Sequence, residues 1–404
     1  MNLFSLFRCI LLLLCLTGSG SIAAAKYLTV NEAPDKIPET EEEKSIWAIG
    51  RAHQEKVRET GEVINDLELE AYLAGVATRM FGDMLEFIGL EVEVLIFRDP
   101  TVNAWVYPDG TIAVQTGLLA AMENEAQLAA ILGHEISHFL NRHAYIQIKS
   151  KQKQKGFGNV LGVLATATVA AKTGKLDTSL MGVGQVWTDL VTSGYSRDLE
   201  TKADAQGLEL LVAAGYNPNQ ALPAFEAMRI KDDDEVNIAK MWSSHPDIDT
   251  RLKNLRKRIK KMKSPPDFVP APEPYVKAVG SAILVDAQLN TQRRRFDLAL
   301  QMMNRYIEIL PEQVVGRYLL GEIHRKKTPE GPDYEPRVSA YNAAIAMDEQ
   351  YAPAYRELGM AYRQQHQVEA AIGAFEKYVA LAPDAVDTPI IRWYLDDLKD
   401  NGAP

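Results

Sequence analysis

The fold of this chain turns on residues 120–142, AAMENEAQLAAILGHEISHFLNR, and within them on Leu132-Gly133-His134-Glu135-Ile136-Ser137-His138. Apolar and small residues at helical spacing predict one long helix. Glu123 and Glu125 lie near its start, where carboxylates suit the positive end of the helix dipole. On such a helix His134 and His138 sit four apart, about 400° around the axis, so both imidazoles leave one face and can grip one metal ion. Glu135 lies about 100° from His134, within reach of a water on that ion. Zn²⁺ suits a nitrogen and oxygen donor set and brings the pKa of its water towards neutrality. The HExxH pattern also arises by chance, and two histidines on one helix face can be an ordinary surface pair, so the rest of the sequence must decide.

The first question is a third ligand. A histidine further along the same segment would need Gly at 141 and His at 144, but the chain has Asn141 and Ala144. His143 would point about 140° away from His138 on a straight helix and reads as a capping or packing residue. Residues 195–218, YSRDLETKADAQGLELLVAAGYNP, offer the other solution. They read as a second helix, over residues 197–214, that stops at Gly215 with Pro218 just beyond. Glu200 and Asp204 lie four apart on one face of it. Glu200 can complete a His₂Glu set with one position left open. Asp204 can accept the second N–H of a liganding histidine and fix its tautomer.

Composition bounds the alternatives. The 404 residues are 47% hydrophobic and 24% charged, enough for two or three globular domains. A formal net charge of -10 gives no reason to expect a nucleic-acid partner. The only cysteines, Cys9 and Cys15, fall at the very start, so a cysteine-ligated metal in the body of the chain is excluded. Residues 1–25 have the layout of a secretory signal peptide: Arg8, an apolar run from Cys9 to Leu16, then small residues, with cleavage expected after Ala25. Leu14 before Cys15 argues against a lipoprotein. The expected location is the periplasm.

Further along, residues 41–84 read as helix and 91–97 as a strand. Two β-rich runs within 102–119 flank Pro108-Asp109-Gly110, a hairpin signal. The uncharged stretch 157–171 is too short to span a bilayer; it reads as a buried or lid helix, with peripheral membrane contact as the other reading. Eight basic residues in 251–263 read as a solvated helix face. Five prolines in 264–274 mark a linker. Beyond it Tyr355, Leu358, Gly359, Tyr362, Ala371, Phe375 and Pro383 fall at tetratricopeptide-repeat positions. Leu320-Gly321 and the Ala299/Pro311 pair suggest two earlier units, and residues 390–398 a capping helix. The expected division is 1–25 signal, 26–263 catalytic domain, 264–274 linker and 275–404 repeats.

Together, HExxH and Ser196-Arg197-Asp198-Leu199-Glu200-Thr201-Lys202-Ala203-Asp204-Ala205-Gln206-Gly207 make the chain resemble zinc metallopeptidases of the HtpX / CAAX prenyl endopeptidase group. The likeness covers roughly residues 45–262 and includes Asn103-Ala104-Trp105 through Gly117-Leu118-Leu119. It implies a mainly α protein: an α+β zincin-type domain, with a small sheet and an active-site helix, before an α-solenoid of repeats. One Zn²⁺ per chain would be held by His134, His138 and Glu200, with Glu135 as base and Asp204 behind. Arg251 is the preferred oxyanion donor, with Tyr195 as the alternative, because Arg251 follows Ser243-Ser244-His245-Pro246, which matches a His-Pro element of that group. His245 either reaches the zinc as a fourth, regulatory ligand or packs beside the site. Residues 112–115 are expected to offer a strand edge to substrate. The implied function is an envelope endopeptidase acting in protein quality control on unfolded or misassembled (outer-membrane) proteins, with a protein partner on the repeats. A chaperone or scaffold with little proteolysis is the competing reading.

Overall fold

The computed structural model describes residues 29–32, 37–152, 194–229, 248–263, 265–329 and 334–401. Residues 1–25, read above as a signal peptide, the apolar stretch 157–171 and His245 lie outside these residues. The chain is mainly helical around one small sheet.

The expected helix over 41–84 divides into α1 (Glu41–Glu59) and α2 (Leu67–Phe81). Gly61 at φ +73° breaks the first, and Asp66 restarts the chain by accepting the Leu69 N–H at 3.1 Å. Between them Val63 bridges to Phe97, so residues that looked helical extend the sheet instead. A short α3 (Met84–Ile88) leads to β1 (Val94–Phe97), β2 (Ala104–Val106) and β3 (Ile112–Gln115). β2 and β3 form the expected hairpin, closed where the Gly110 N–H, at φ +92°, donates to the Tyr107 carbonyl at 3.0 Å. β1 pairs with β3 in parallel, Val94 opposite Ile112, giving the order β1-β3-β2.

That order corrects the expectation of an open edge at 112–115. β3 is the middle strand and both its sides are hydrogen-bonded; β1 is bridged on its outer side by Val63, and among the described residues no strand pairs with the outer side of β2. All four residues of β1 and of β3 are buried. Alternate residues serve two faces: Val94, Ile96, Ile112 and Val114 join the core of α2 and of the helix over Glu125–Leu140, whereas Leu95, Phe97 and Ala113 meet Val57 of α1.

The predicted helix 120–142 is also two, α4 (Thr116–Ala121) and α5 (Glu125–Leu140). Asn124 accepts the Gln127 N–H at 3.1 Å, a stronger N-terminal signal than the apolar continuity around it. Then follow α6 (His143–Gln152), α7 (Arg197–Ala213), a short 3₁₀ turn, α8 (Ala221–Ala227) and α9 (Ile248–Ile259). On α9 Arg251, Leu252, Leu255 and Ile259 are buried while Lys253, Arg256, Lys257 and Arg258 are exposed, the solvated basic face expected.

Beyond the proline-rich segment lie α10 (Pro272–Ala278), α11 (Gly280–Gln292), α12 (Phe296–Ile309), α13 (Val314–Lys327), α14 (Glu335–Met347), α15 (Ala352–Gln364), α16 (Val368–Leu381) and α17 (Thr388–Asn401). Gly321 on α13 faces Tyr341 on α14, and Gly359 on α15 faces Phe375 on α16; neither place has room for a Cβ. The first of these helices dock on the sheet-bearing part. The Tyr275 hydroxyl donates to the Leu119 carbonyl at 2.7 Å, Arg305 donates to the Met122 carbonyl at 2.8 Å, and one apolar core continues to Leu319 and Ile323.

Candidate metal centre

α5 and α7 meet backbone to backbone at Gly133 and Gly207. A Cβ on Gly207 would lie 2.8 Å from the His134 nitrogen and 2.9 Å from the Gly133 carbonyl carbon, so only glycine permits this approach. The contact brings the first turns of α7 against the last turns of α5. His134 and His138 aim their Nε2 atoms at each other, 3.0 Å apart. Glu200 straddles them, Oε2 at 3.4 Å from His134 and Oε1 at 3.4 Å from His138. One donor atom from each of the three lies within 4.8 Å of the others, and all three side chains are buried. Glu135, next on α5, is 1% exposed.

Burial and the neighbouring charges act on the two rings in opposite directions. Burial alone would lower the His134 imidazole, and Arg251 pushes the same way, yet hydrogen bonds to Asp204 and Glu200 hold it up at about 9. Burial, with the charge on His134 beside it, drives His138 well below the ordinary histidine value despite Glu200. The donor atoms of the three side chains converge on one buried point. Two neutral imidazole nitrogens and a carboxylate oxygen around that point are a donor set a divalent cation fits.

Behind the donors the order continues. His134 Nδ1 is 2.9 Å from Asp204 Oδ1, which fixes the ring so that Nε2 faces the cluster. The Arg251 guanidinium, 4% exposed, donates to Asp204 at 2.7 and 3.0 Å and pairs with Glu200 Oε2 at 3.1 Å, with Phe225 beneath it at 4.7 Å. Burial would raise the Asp204 carboxyl, but Arg251 and the hydrogen bond from His134 bring it down to about 2. The structure therefore gathers His134, Glu135, His138, Glu200, Asp204 and Arg251, which the sequence had singled out. His245 lies outside the described residues.

His143 has a role that a straight helix concealed. α5 ends at Leu140, Arg142 turns the chain at φ +54°, and His143 returns with Nδ1 2.9 Å from His138 Nδ1. Arg142 is held in that turn by Glu43 and, at 3.1 Å, by Glu39. Asn141 was the available signal, a residue suited to a helix end. Tyr195 stacks on the His138 ring with centroids 4.0 Å apart.

A buried HExxH helix packed over a small mixed sheet, with a glutamate from a second helix closing the cluster, is the layout of a metallopeptidase domain. The comparison with known families agrees: residues 68–259 match Peptidase family M48. Mitochondrial metalloendopeptidase OMA1 of Schizosaccharomyces pombe is 31% identical over 166 residues, 41% of this chain and 46% of that protein. The beta-barrel assembly-enhancing protease of Escherichia coli K12 is 24% identical over 256 residues, 60% of this chain and 50% of the relative. Metalloprotease YcaL of the same organism is 26% identical over 171 residues, 42% and 63% of the two chains. The matched stretches thus span about half the length of the first two relatives.

Proposed function

We propose that this protein is a zinc-dependent endopeptidase of the cell envelope, acting in the periplasm on unfolded or misassembled proteins, outer-membrane proteins among them. The observation that carries it is Glu135 placed beside an assembled and buried His134–His138–Glu200 cluster. A zinc ion held there would supply a Lewis acid for the scissile carbonyl and make its water acidic enough to react. Glu135 takes the proton from the attacking water and returns it to the leaving amine. Asp204 orients His134, and Arg251 holds Asp204 and Glu200 in place, a positioning role beside the oxyanion role read from sequence. Tyr195, over His138, is the second candidate for the oxyanion. The open edge of β2 takes substrate in extended form, which selects unpaired segments over folded ones.

The names of the relatives support the assignment of class, and the Escherichia coli protease named for β-barrel assembly supports the substrate class. Among the described residues no helix is long and apolar enough to cross a membrane. The C-terminal helices are read as repeats that bind a partner protein; the glycine–aromatic fits of Gly321 with Tyr341 and Gly359 with Phe375 support that reading. For His245, read as a reversible fourth ligand, the His245→Ala variant is expected to cleave faster or process itself; unchanged cleavage and no self-processing would remove the latch. The main test is cleavage of casein by purified protein against Glu135→Gln. Zinc binding with cleavage lost in the variant supports the enzyme; zinc binding with no Glu135-dependent cleavage favours a chaperone or scaffold.

A further inference from the structure

The last turn of α13, the start of α14 and the end of α15 border a cavity of about 260 Å³ lined by Arg325, Lys326, Arg337, Glu357 and Gln364 among others. Its acidic groups are already engaged. Glu357 pairs with Arg325 at 3.3 Å and with Arg356 at 2.6 Å, while nearby Glu322 pairs with Arg325 at 2.5 Å and accepts the Tyr341 hydroxyl at 2.7 Å. Two cations are left over. Arg337 is 2% exposed, stacks on Tyr334 at 4.1 Å and donates to Gln364 Oε1 at 2.8 Å. Among the described residues its buried Nε has no hydrogen-bond partner. Neither Arg337 nor Lys326 makes an ion pair among the described residues. Arginine stays charged when buried, and such a group is normally paired. The cavity therefore has the charge, the unused donor and the room for an anionic group.

We propose that this cavity receives a carboxylate side chain from an extended, acidic segment of a bound protein. Arg337 offers a planar fork with an unused Nε–H, which matches a planar carboxylate, and exposed Lys326 adds a second charge at the rim. Lys326 also borders a second cavity of about 250 Å³ between α11 and α13, with Tyr318, Leu319 and Ile323 in its wall. A segment lying along both cavities would place an acidic residue on Arg337 and an apolar residue against that wall. This rests on the reading of the C-terminal helices as a partner-binding unit and gives that unit a ligand chemistry.

The test uses the full chain and a fluorescein-labelled decapeptide of Glu, Leu and Gly, against the same peptide with Gln for Glu, followed by fluorescence anisotropy. The Glu peptide is expected to bind at least about ten-fold more tightly than the Gln peptide, and Arg337→Gln to remove that preference. Lys326→Gln, an exposed change that leaves the packing alone, is expected to weaken the Glu peptide several-fold; it decides the matter if Arg337→Gln melts early. Equal binding of both peptides, insensitive to either variant, overturns the carboxylate site and leaves the partner-binding unit standing. No binding of either peptide overturns both. Arg337-dependent binding of inorganic phosphate with no binding of the Glu peptide assigns the cavity to phosphate and overturns the proposal.

Discussion

Replacing Gly207 by alanine should damage the metal centre from a position that touches no metal ligand through its side chain. The new Cβ would lie 2.8 Å from the His134 nitrogen and 2.9 Å from the Gly133 carbonyl carbon, both backbone atoms in the middle of a packed helix. Ordinary contact begins near 3.4 Å, so α5 and α7 must part by about half an ångström or more. Overpacking of this kind costs about 1–3 kcal/mol. Alanine returns about 1 kcal/mol through helix propensity, which leaves a modest loss of stability. Metal affinity is hit harder, because Glu200 rides on the displaced helix two turns away. Disturbing the support of a ligand lowers metal affinity about 10–100-fold, and misplacing a reacting group by about 1 Å costs up to about 10²-fold in rate. Zinc affinity by competition with a chromophoric chelator, with casein cleavage on the same samples, measures both. Gly207→Ala protein that binds zinc and cleaves as the parent does would refute the argument that this helix contact positions Glu200. Gly133→Ala should be milder, since the closest atom it meets is the flexible end of Met80.

Other consequences concern groups around the site and the junction with the C-terminal helices. Asp286 on α11 is buried beside Thr116 at 3.1 Å, Asn290 at 2.9 Å, Asp99 and Arg293, and burial pushes its carboxyl up to about 7. The Thr116 hydroxyl, shared with the Asp99 carbonyl at 2.9 Å, and the Asn290 amide donate to this carboxyl and only partly offset its burial. The folded chain then binds this proton more tightly than the unfolded one. Its stability contribution is full below about pH 4 and is lost as pH rises through about 7, on the order of 4 kcal/mol in all. Asp286→Asn should flatten that slope in urea melts between pH 4 and 7; an unchanged slope would contradict the assignment. Asp204→Asn should reduce zinc affinity about 10–100-fold by releasing His134 and Arg251, read by chelator competition. Tyr195→Phe should retain zinc while cleavage falls about 10²–10³-fold if its hydroxyl serves the oxyanion, and unchanged cleavage assigns that role elsewhere.

The two segments that form the cluster are legible in the sequence because their signals are local. His134, Glu135 and His138 share one helix, and Glu200 and Asp204 share another, so spacing alone sets which side chains lie together. Partners that depend on helix ends were hidden. His143 packs beside the site, as read from sequence, but not where a straight helix would put it: the helix stops at Leu140 and the left-handed Arg142 swings His143 behind His138. The break at Asn124 and the strand-like Val63 were missed for the same reason: one capping side chain outweighed apolar periodicity on both sides. The parallel pairing of β1 with β3 has no local signature, which is why the open edge was placed on the wrong strand. Gly207 has no local signal that explains it; its reason is a second helix 74 residues earlier in the chain, at Gly133.

The central claim is that His134, His138 and Glu200 form one metal site across α5 and α7. Native mass spectrometry of the purified protein and of Glu200→Ala, each equilibrated with zinc and dialysed against a weak chelator, tests it directly. The account predicts one zinc per chain in the parent and none in the variant, with both folded. A parent that emerges metal-free, or a folded Glu200→Ala that retains its zinc as firmly, would contradict it.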